Sequence, residues 1–214
     1  MYVPVAIQWL LLAARYRSLS LPLIANPGVP LSGMVGVSKS AVFDLAGDYA
    51  RQWILPWILV EVEDQSLQRQ CQMAKQALTA AGLEYPLVGK PNMGCRGVGV
   101  RLLKDDAELA DYLQGFPVGG CIQFQKLSQW DAEAGVFYVR DPEKATGEVT
   151  SLTLKYTPFV VGDGERQLGE LVAADARAGE VLHLYRSRHV ARWHDVIPRG
   201  EPYRLVFAAS HSRG

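Results

Sequence analysis

The residues best suited to chemistry in this sequence are a lysine and the glycine-rich segment that follows it. Lys90 ends the short apolar run 87–89, and glycines follow at positions 94, 97 and 99. Glycine lets backbone N–H groups turn towards an anion with no Cβ in the way, and the lysine supplies a mobile positive charge. A glycine-rich loop between two strands is usually a plain β-hairpin, and a phosphate-binding loop is the functional alternative here. The order G-x-x-G-x-G matches neither a dinucleotide-binding fingerprint nor a P-loop.

The elements around this loop are predicted from periodicity. Apolar residues recur at spacings of three and four over residues 65–82, which is typical of a helix that Gly82 ends. A second helix is predicted from Asp105 to Gln114. Alternating apolar and polar residues predict a strand at 121–127. Further strands are expected at 135–140, 149–156 and 203–208, with a helix at 168–176, so the fold class is α+β.

The N-terminal segment is apolar at first and then rich in Pro, Gly and Ser. Residues 3–14 are too few for a membrane-spanning helix of about 20 residues, and their basic neighbours follow them, unlike those of a secretory signal. We expect a buried or interfacial helix. Ser38 and Lys39 precede a helical pattern that runs from Ala41 to about Gln52. Such a start is usually a simple cap, but beside a lysine it could hold an anion.

Composition narrows the class of protein. The chain has 214 residues, 22 basic and 22 acidic, with a pI near 6.9, which argues against a dedicated nucleic-acid binder. Its three cysteines are too few and too scattered for a disulfide framework or a zinc site, so we expect a reduced, cytoplasmic protein. Trp53 and Trp57 lie in an apolar stretch that this chain, a partner or a membrane surface must cover. Peripheral membrane contact is the least favoured of these.

Three separated segments together resemble the ATP-grasp ligases, a superfamily that includes D-alanine–D-alanine ligase, glutathione synthetase and cyanophycin synthetase. Residues 88–91, Val-Gly-Lys-Pro, with the loop 92–99 are similar to the strand-end lysine and phosphate loop of these enzymes. Residues 123–127, Gln-Phe-Gln-Lys-Leu, are similar to the strand and hinge beside adenine. Residues 160–164, Val-Val-Gly-Asp-Gly, look like the turn of the glutathione and cyanophycin branch.

This resemblance implies a fold and a reaction. Two α+β subdomains, at 65–125 and 126–214, would hold a nucleotide between them, preceded by an N-terminal segment at 1–64. The activity implied is an ATP-dependent carboxylate–amine ligase that forms C–N bonds through an acylphosphate. Its cofactors would be ATP and Mg²⁺, its substrates a carboxylate and an amine or peptide, and no nucleic acid would take part. A regulatory nucleotide-binding module without catalysis and an ATP-grasp kinase are the alternatives.

The same resemblance implies the site residues. Lys90 would neutralise phosphate charge, Glu133 would bind the ribose hydroxyls, and Gln125 stands where many of these ligases have a glutamate. Arg96 and Arg204 are the catalytic candidates. The residues expected to bind ATP are Lys90, Gly94, Cys95, Arg96, Gly97, Val98, Gln125, Lys126, Leu127, Glu133 and Lys155.

The magnesium ligands are not assigned by the sequence. The family carries them on late strands, whereas the carboxylates after Val181 are only Asp195 and Glu201, in sequence rich in Pro, Gly and Arg. We therefore expect the second subdomain to be incomplete, as in a fragment, a truncated reading frame or half of an enzyme. Such a chain is expected to bind adenine nucleotide weakly and to turn it over little.

Overall fold

The structure is a computed structural model that describes residues 3–26, 28–34, 36–94, 97–130 and 132–208. Its contacts divide the chain into two compact units. The first comprises residues up to 99 together with 103–126, and the second comprises 100–102 and 127 onwards. Helices and antiparallel sheets occur together, so the protein is α+β, as the sequence predicts.

The elements up to Lys126 centre on a four-stranded sheet. The strand order is β1-β4-β2-β3, and β4 pairs antiparallel with both β1 and β2. In chain order the elements are α1 (Val3–Tyr16), α2 (Lys39–Asp44), α3 (Asp48–Arg51), β1 (Trp57–Glu61), α4 (Leu67–Ala80), β2 (Leu87–Pro91), β3 (Arg101–Leu103), α5 (Asp106–Gln114) and β4 (Cys121–Lys126).

One face of this sheet packs against α4 and α5. Leu87, Ile122 and Phe124 are fully buried there, in one core with helix residues that include Leu78 and Leu109. Neighbouring residues of a strand point to opposite faces. The side chains that alternate with this core, Lys90 among them, therefore belong to the face turned away from the two helices.

Helices α4 and α5 are confirmed, with local signals at their ends. Ser66 caps α4 by accepting a hydrogen bond from the Arg69 N–H at 3.3 Å. Gly82, at φ +64°, follows its last turn in the left-handed region, which is easy only for glycine. Asp105 caps α5 through the Glu108 N–H at 2.9 Å.

The N-terminal expectations are met in part. The helix α1 is confirmed. None of its residues is buried, so the buried alternative is wrong and the interfacial one stays a prediction. The single helix expected from Ala41 to Gln52 is also wrong. It is divided into α2 and α3 because Gly47, at φ −70° and ψ 171°, is extended. Among the described residues, no helix is both long and apolar enough to cross a membrane.

Among its described residues, the second unit contains two small antiparallel sheets and two α-helices. Val160, Leu168, Val172, Tyr185 and Ile197 form the centre of its core. Strand β8 pairs with β7 and is shorter than the strand expected at 203–208. The elements are β5 (Glu133–Val139), β6 (Glu148–Lys155), β7 (Phe159–Val161), α6 (Leu168–Ala174), α7 (Leu182–Arg188) and β8 (Pro202–Arg204).

Candidate functional site

Lys90 is half-buried near the end of β2, and its charge faces a neutral partner. Its ammonium donates a hydrogen bond to Oε1 of Gln125 on β4 at 2.6 Å. The Gln125 amide is held in turn by Leu55, whose carbonyl accepts from Nε2 at 2.9 Å. Among the described residues Lys90 forms no ion pair. Its positive charge is therefore not cancelled by a carboxylate there.

An aromatic ring lies beside the same ammonium. The Lys90 nitrogen is 5.8 Å from the centre of the Phe43 ring, within reach of a cation–π contact. Phe43 packs in turn on Trp57, with ring centres 5.7 Å apart. The pKa of Lys90 is lowered, first by burial and second by the charge of Lys39. Both causes disfavour the ammonium, whereas a bound anion would favour it and so offset them.

Two glycines of the loop adopt a conformation that other residues avoid. Gly97 has φ +69° and Gly99 has φ +72°. A Cβ on Gly99 would also lie 2.7 Å from Cγ of Pro91. Glycine is therefore required there both by the positive φ and by the lack of space for a side chain. Gly94 lacks a positive φ, and its nearest neighbour would be 3.5 Å away. Cys95 and Arg96, both predicted to bind ATP, lie outside the described residues.

The two ends of the loop are each held by a side chain. Lys39 donates from its ammonium to the carbonyl oxygens of Pro91 at 2.7 Å and Gly94 at 3.3 Å. At the other end, the hydroxyl of Tyr112 on α5 donates to the Gly99 carbonyl at 2.7 Å. The loop is thus fixed at its stem, and Val98 within it is exposed.

Strand β4 carries a second glutamine on the same sheet face. Gln123 lies directly opposite Lys90 in the register of β2 and β4 and is fully buried. Neither amide atom of its side chain has a hydrogen-bond partner among the described residues. An unmatched buried amide costs about 1–3 kcal/mol, so Gln123 is a polar group with unused donors and acceptors close to Lys90.

The segment expected to contact adenine lies where β4 ends. The Lys126 N–H already donates to the Pro56 carbonyl at 2.9 Å. The boundary between the two units falls between Lys126 and Leu127. Of the three residues predicted there, Gln125 is the one whose side chain lies beside Lys90.

In the second unit, two of the predicted ATP ligands bind each other. Glu133 and Lys155 face one another across β5 and β6 and form a salt bridge. Both side chains are exposed, so the pair contributes little to stability. A nucleotide that used either group would have to compete with this ion pair.

Arg204, the second catalytic candidate, holds the chain that follows β8. Its guanidinium donates to the carbonyl oxygens of Val206 at 3.1 Å and Phe207 at 3.2 Å, and to the Thr157 hydroxyl at 3.1 Å. These hydrogen bonds stabilise the chain around Arg204 within the second unit.

The turn at 160–164 is tightly enclosed. A Cβ on Gly162 would lie 2.2 Å from the Pro198 carbonyl oxygen, so no side chain fits there. The Asp163 carboxylate accepts from the Arg166 side chain at 2.6 Å and from the backbone N–H groups of Glu165 and Arg166. These hydrogen bonds, with that to the Arg166 side chain foremost, lower the pKa of Asp163. The Asp163 carboxylate therefore stabilises the turn through these hydrogen bonds.

The described carboxylates do not gather into a cluster of metal ligands. Within the described ranges, no group of three or more His, Cys, Asp or Glu side chains is placed to hold a metal ion. Asp195, one of the two late carboxylates, pairs with Arg192 at 2.9 Å.

Comparison with known proteins leaves the family open. No known protein family matches this sequence, and no curated protein matches it.

The sequence did not indicate that Lys39 and Tyr112 contact the loop, or that Phe43 lies beside Lys90. The sequence places Lys39 at a helix start that could hold an anion, and nothing local indicates that it reaches residues 91–94. Tyr112 and Phe43 have the pattern of core or helix residues. The presence of a glycine within β2 is a sequence signal for the position of Tyr112. A Cβ on Gly89 would lie 2.7 Å from the Tyr112 ring, so glycine at this position indicates that α5 packs closely on the strand.

Proposed function

We propose that this chain binds ATP through Lys90 and the glycine loop that follows it. The observation that carries the proposal is the environment of the Lys90 ammonium, which has an amide oxygen and an aromatic ring as its neighbours and no carboxylate among the described residues. A half-buried cation without a counter-ion attracts an anion strongly, because it is only partly solvated.

The loop supplies the second requirement of a polyphosphate site. Two of its glycines, Gly97 and Gly99, have positive φ, the backbone conformation from which anion-binding loops are commonly built. Lys39 and Tyr112 fix the stem and so reduce the entropy that binding would cost. The resemblance to ATP-grasp ligases indicates which polyphosphate is bound, since the lysine, the loop and the later segments occur in the family's order.

The reaction proposed with it is carboxylate activation. A carboxylate oxygen attacks the γ-phosphorus of ATP, the bond from that phosphorus to the bridging oxygen breaks, and ADP leaves. An amine nitrogen then attacks the acyl carbon of the acylphosphate, phosphate leaves, and the amine gives up a proton. In both steps Lys90 would balance the charge on phosphate oxygens.

A nucleotide-binding module without catalysis is the second candidate. The contacts of the second unit favour it, since Glu133 and Lys155 pair with each other and Arg204 binds carbonyl oxygens of its own unit. These are the groups that the ligase hypothesis needs for ribose binding and catalysis.

Calorimetric titration with ATP, with and without magnesium, tests the binding step. We expect saturable binding that the Lys90→Met variant weakens, and no binding by the native chain would refute the proposal. ADP release with a panel of carboxylates and amines then separates the candidates. Amide product indicates a ligase, a stable phosphorylated product a kinase, and binding without ADP a regulatory module.

A further inference from the structure

A second lysine lies beside the loop, and it comes from a distant part of the chain. The Lys39 ammonium donates to the carbonyl oxygens of Pro91 at 2.7 Å, Asn92 at 3.4 Å and Gly94 at 3.3 Å. These carbonyls belong to residues 91–94, where the chain leaves β2 and enters the loop. Lys39 therefore contacts the first half of the loop along its backbone.

The backbone around Lys39 is joined to the same residues. The Lys39 N–H donates to the Asn92 carbonyl at 3.0 Å, and the Ser40 N–H donates to Oδ1 of Asn92 at 3.0 Å. Ser38 forms an antiparallel bridge with Met93. Asn92 and Ser40 are both buried. Because residues 38–40 are fixed in this way, the Lys39 side chain starts from a defined position, unlike that of a typical surface lysine.

We infer that Lys39 is a positioning residue of the phosphate loop, which it holds through residues 91–94 in the conformation that receives a polyphosphate. The ligand named here rests on the proposed function, whereas the ordering of the loop by Lys39 does not. The physical reason is the direction of the carbonyl dipoles. Three carbonyl oxygens near the loop entrance would repel an anion, and the ammonium that binds them offsets their partial negative charge.

The charge of Lys39 also reaches Lys90. It is the second cause, after burial, of the lowered pKa of Lys90, so the two ammonium groups repel each other in the free protein. An anion bound near both would remove this repulsion. Lys39 thus orders the loop, and its positive charge also strengthens the attraction of this site for an anion.

Limited proteolysis of the nucleotide-free chain tests the ordering. Subtilisin is suitable because it does not require a lysine at the cleaved bond. We expect Lys39→Met to speed cleavage within residues 93–99 by about fivefold or more, since the loop opens more often. Lys39→Arg keeps the charge and should stay close to the native rate. Lys75→Met is the matched control, because Lys75 binds Asp106 on another surface of the same unit.

Two further readouts distinguish positioning from a general loss of stability. Side-chain NMR should show a raised pKa of Lys90 in Lys39→Met, since a like charge has gone. Calorimetry should show ATP binding weakened by about tenfold. If Lys39→Met does not fold by circular dichroism, Lys39→Gln, which keeps two donors without the charge, takes its place.

The outcomes separate the inference from the function on which its ligand depends. Native rates of loop cleavage together with an unchanged titration of Lys90 in Lys39→Met would overturn the inference. If the native chain binds no ATP while Lys39→Met still loosens the loop, the proposed function fails and the positioning by Lys39 stands.

Discussion

Lys90 and Gln125 lie on neighbouring strands, and the ammonium of one is 2.6 Å from the amide oxygen of the other. The pair is a diagonal neighbour pair on the sheet face turned away from α4 and α5, because Gln125 is directly opposite Val88 and Gln123 is opposite Lys90. A carboxylate in place of Gln125 would neutralise the lysine. The amide orients the ammonium and leaves its charge available to an anion.

Removing the charge of Lys90 should weaken ATP binding and spare the fold. Lys90→Met is expected to lower the affinity by about 10- to 100-fold, which corresponds to the loss of one charge-assisted hydrogen bond. The apolar stem is retained, so the melting temperature without nucleotide should change little. If ATP raises the melting temperature of the variant as much as that of the native chain, Lys90 is not a phosphate ligand.

A bound triphosphate should protect the glycine loop. Trypsin is expected to cut the free chain after Arg96, in the segment with three glycines in six positions, and saturating ATP should slow this cut by about tenfold. Quantifying the fragments against time gives the rate. AMP at the same concentration is the control, since it lacks the β- and γ-phosphates. Equal cleavage with and without ATP would indicate a plain hairpin.

ATP affinity should fall as the pH rises towards the titration of Lys90. Burial, and then Lys39, lower the pKa of Lys90 below its ordinary value of 10.5. In the free protein this disfavours the protonated form, so the free energy of unfolding rises with pH between the lowered pKa and 10.5. ATP has the opposite preference, because it needs the ammonium.

Calorimetry at a series of pH values, in buffers of different ionisation heat, measures this effect. Proton uptake should accompany ATP binding as the pH approaches the lowered pKa of Lys90, and it should disappear in Lys90→Arg, whose guanidinium stays charged. A constant affinity up to pH about 10 in the native chain would contradict the assignment.

Two glycines of the loop should differ in their tolerance of a side chain. Gly99→Ala places a Cβ at positive φ and 2.7 Å from Pro91, so we expect a loss of about 1–3 kcal/mol in the free energy of unfolding. Gly94→Ala meets no atom closer than 3.5 Å and should change it by less than about 0.5 kcal/mol. Urea denaturation compares the two, and equal losses would show that the loop does not hold Gly99 in this conformation.

Replacing Gln123 by leucine should stabilise the folded protein, because the buried amide of Gln123 has no hydrogen-bond partner among the described residues. Gln123→Leu removes a buried donor and acceptor that lack partners among the described residues, and should raise the free energy of unfolding by about 1 kcal/mol. Gln123→Ala is the control for volume and should lower it by about 2 kcal/mol through the cavity it leaves. Destabilisation by Gln123→Leu would mean that the amide has a partner such as an ordered water.

The local elements of this fold could be predicted because their signals lie within a few residues. The helix at 65–82 is fixed by its apolar spacing, by Ser66 at its start and by Gly82 after its end. Strand β4 is fixed by its alternation. Where one residue overrides the pattern the prediction fails, as at Gly47, which divides the helix expected from Ala41 to Gln52.

The sequence by itself determined which residues could attract phosphate: Lys90 and the glycines after it, whose types and order carry that meaning without a fold. Only the tertiary structure decided what surrounds them. Lys39 lies 52 residues before Pro91 along the chain, and the partnership of Glu133 with Lys155 follows from the register of two strands. Such pairings arise from sheet register and burial, which depend on the whole chain, so they cannot be read from any local stretch of sequence.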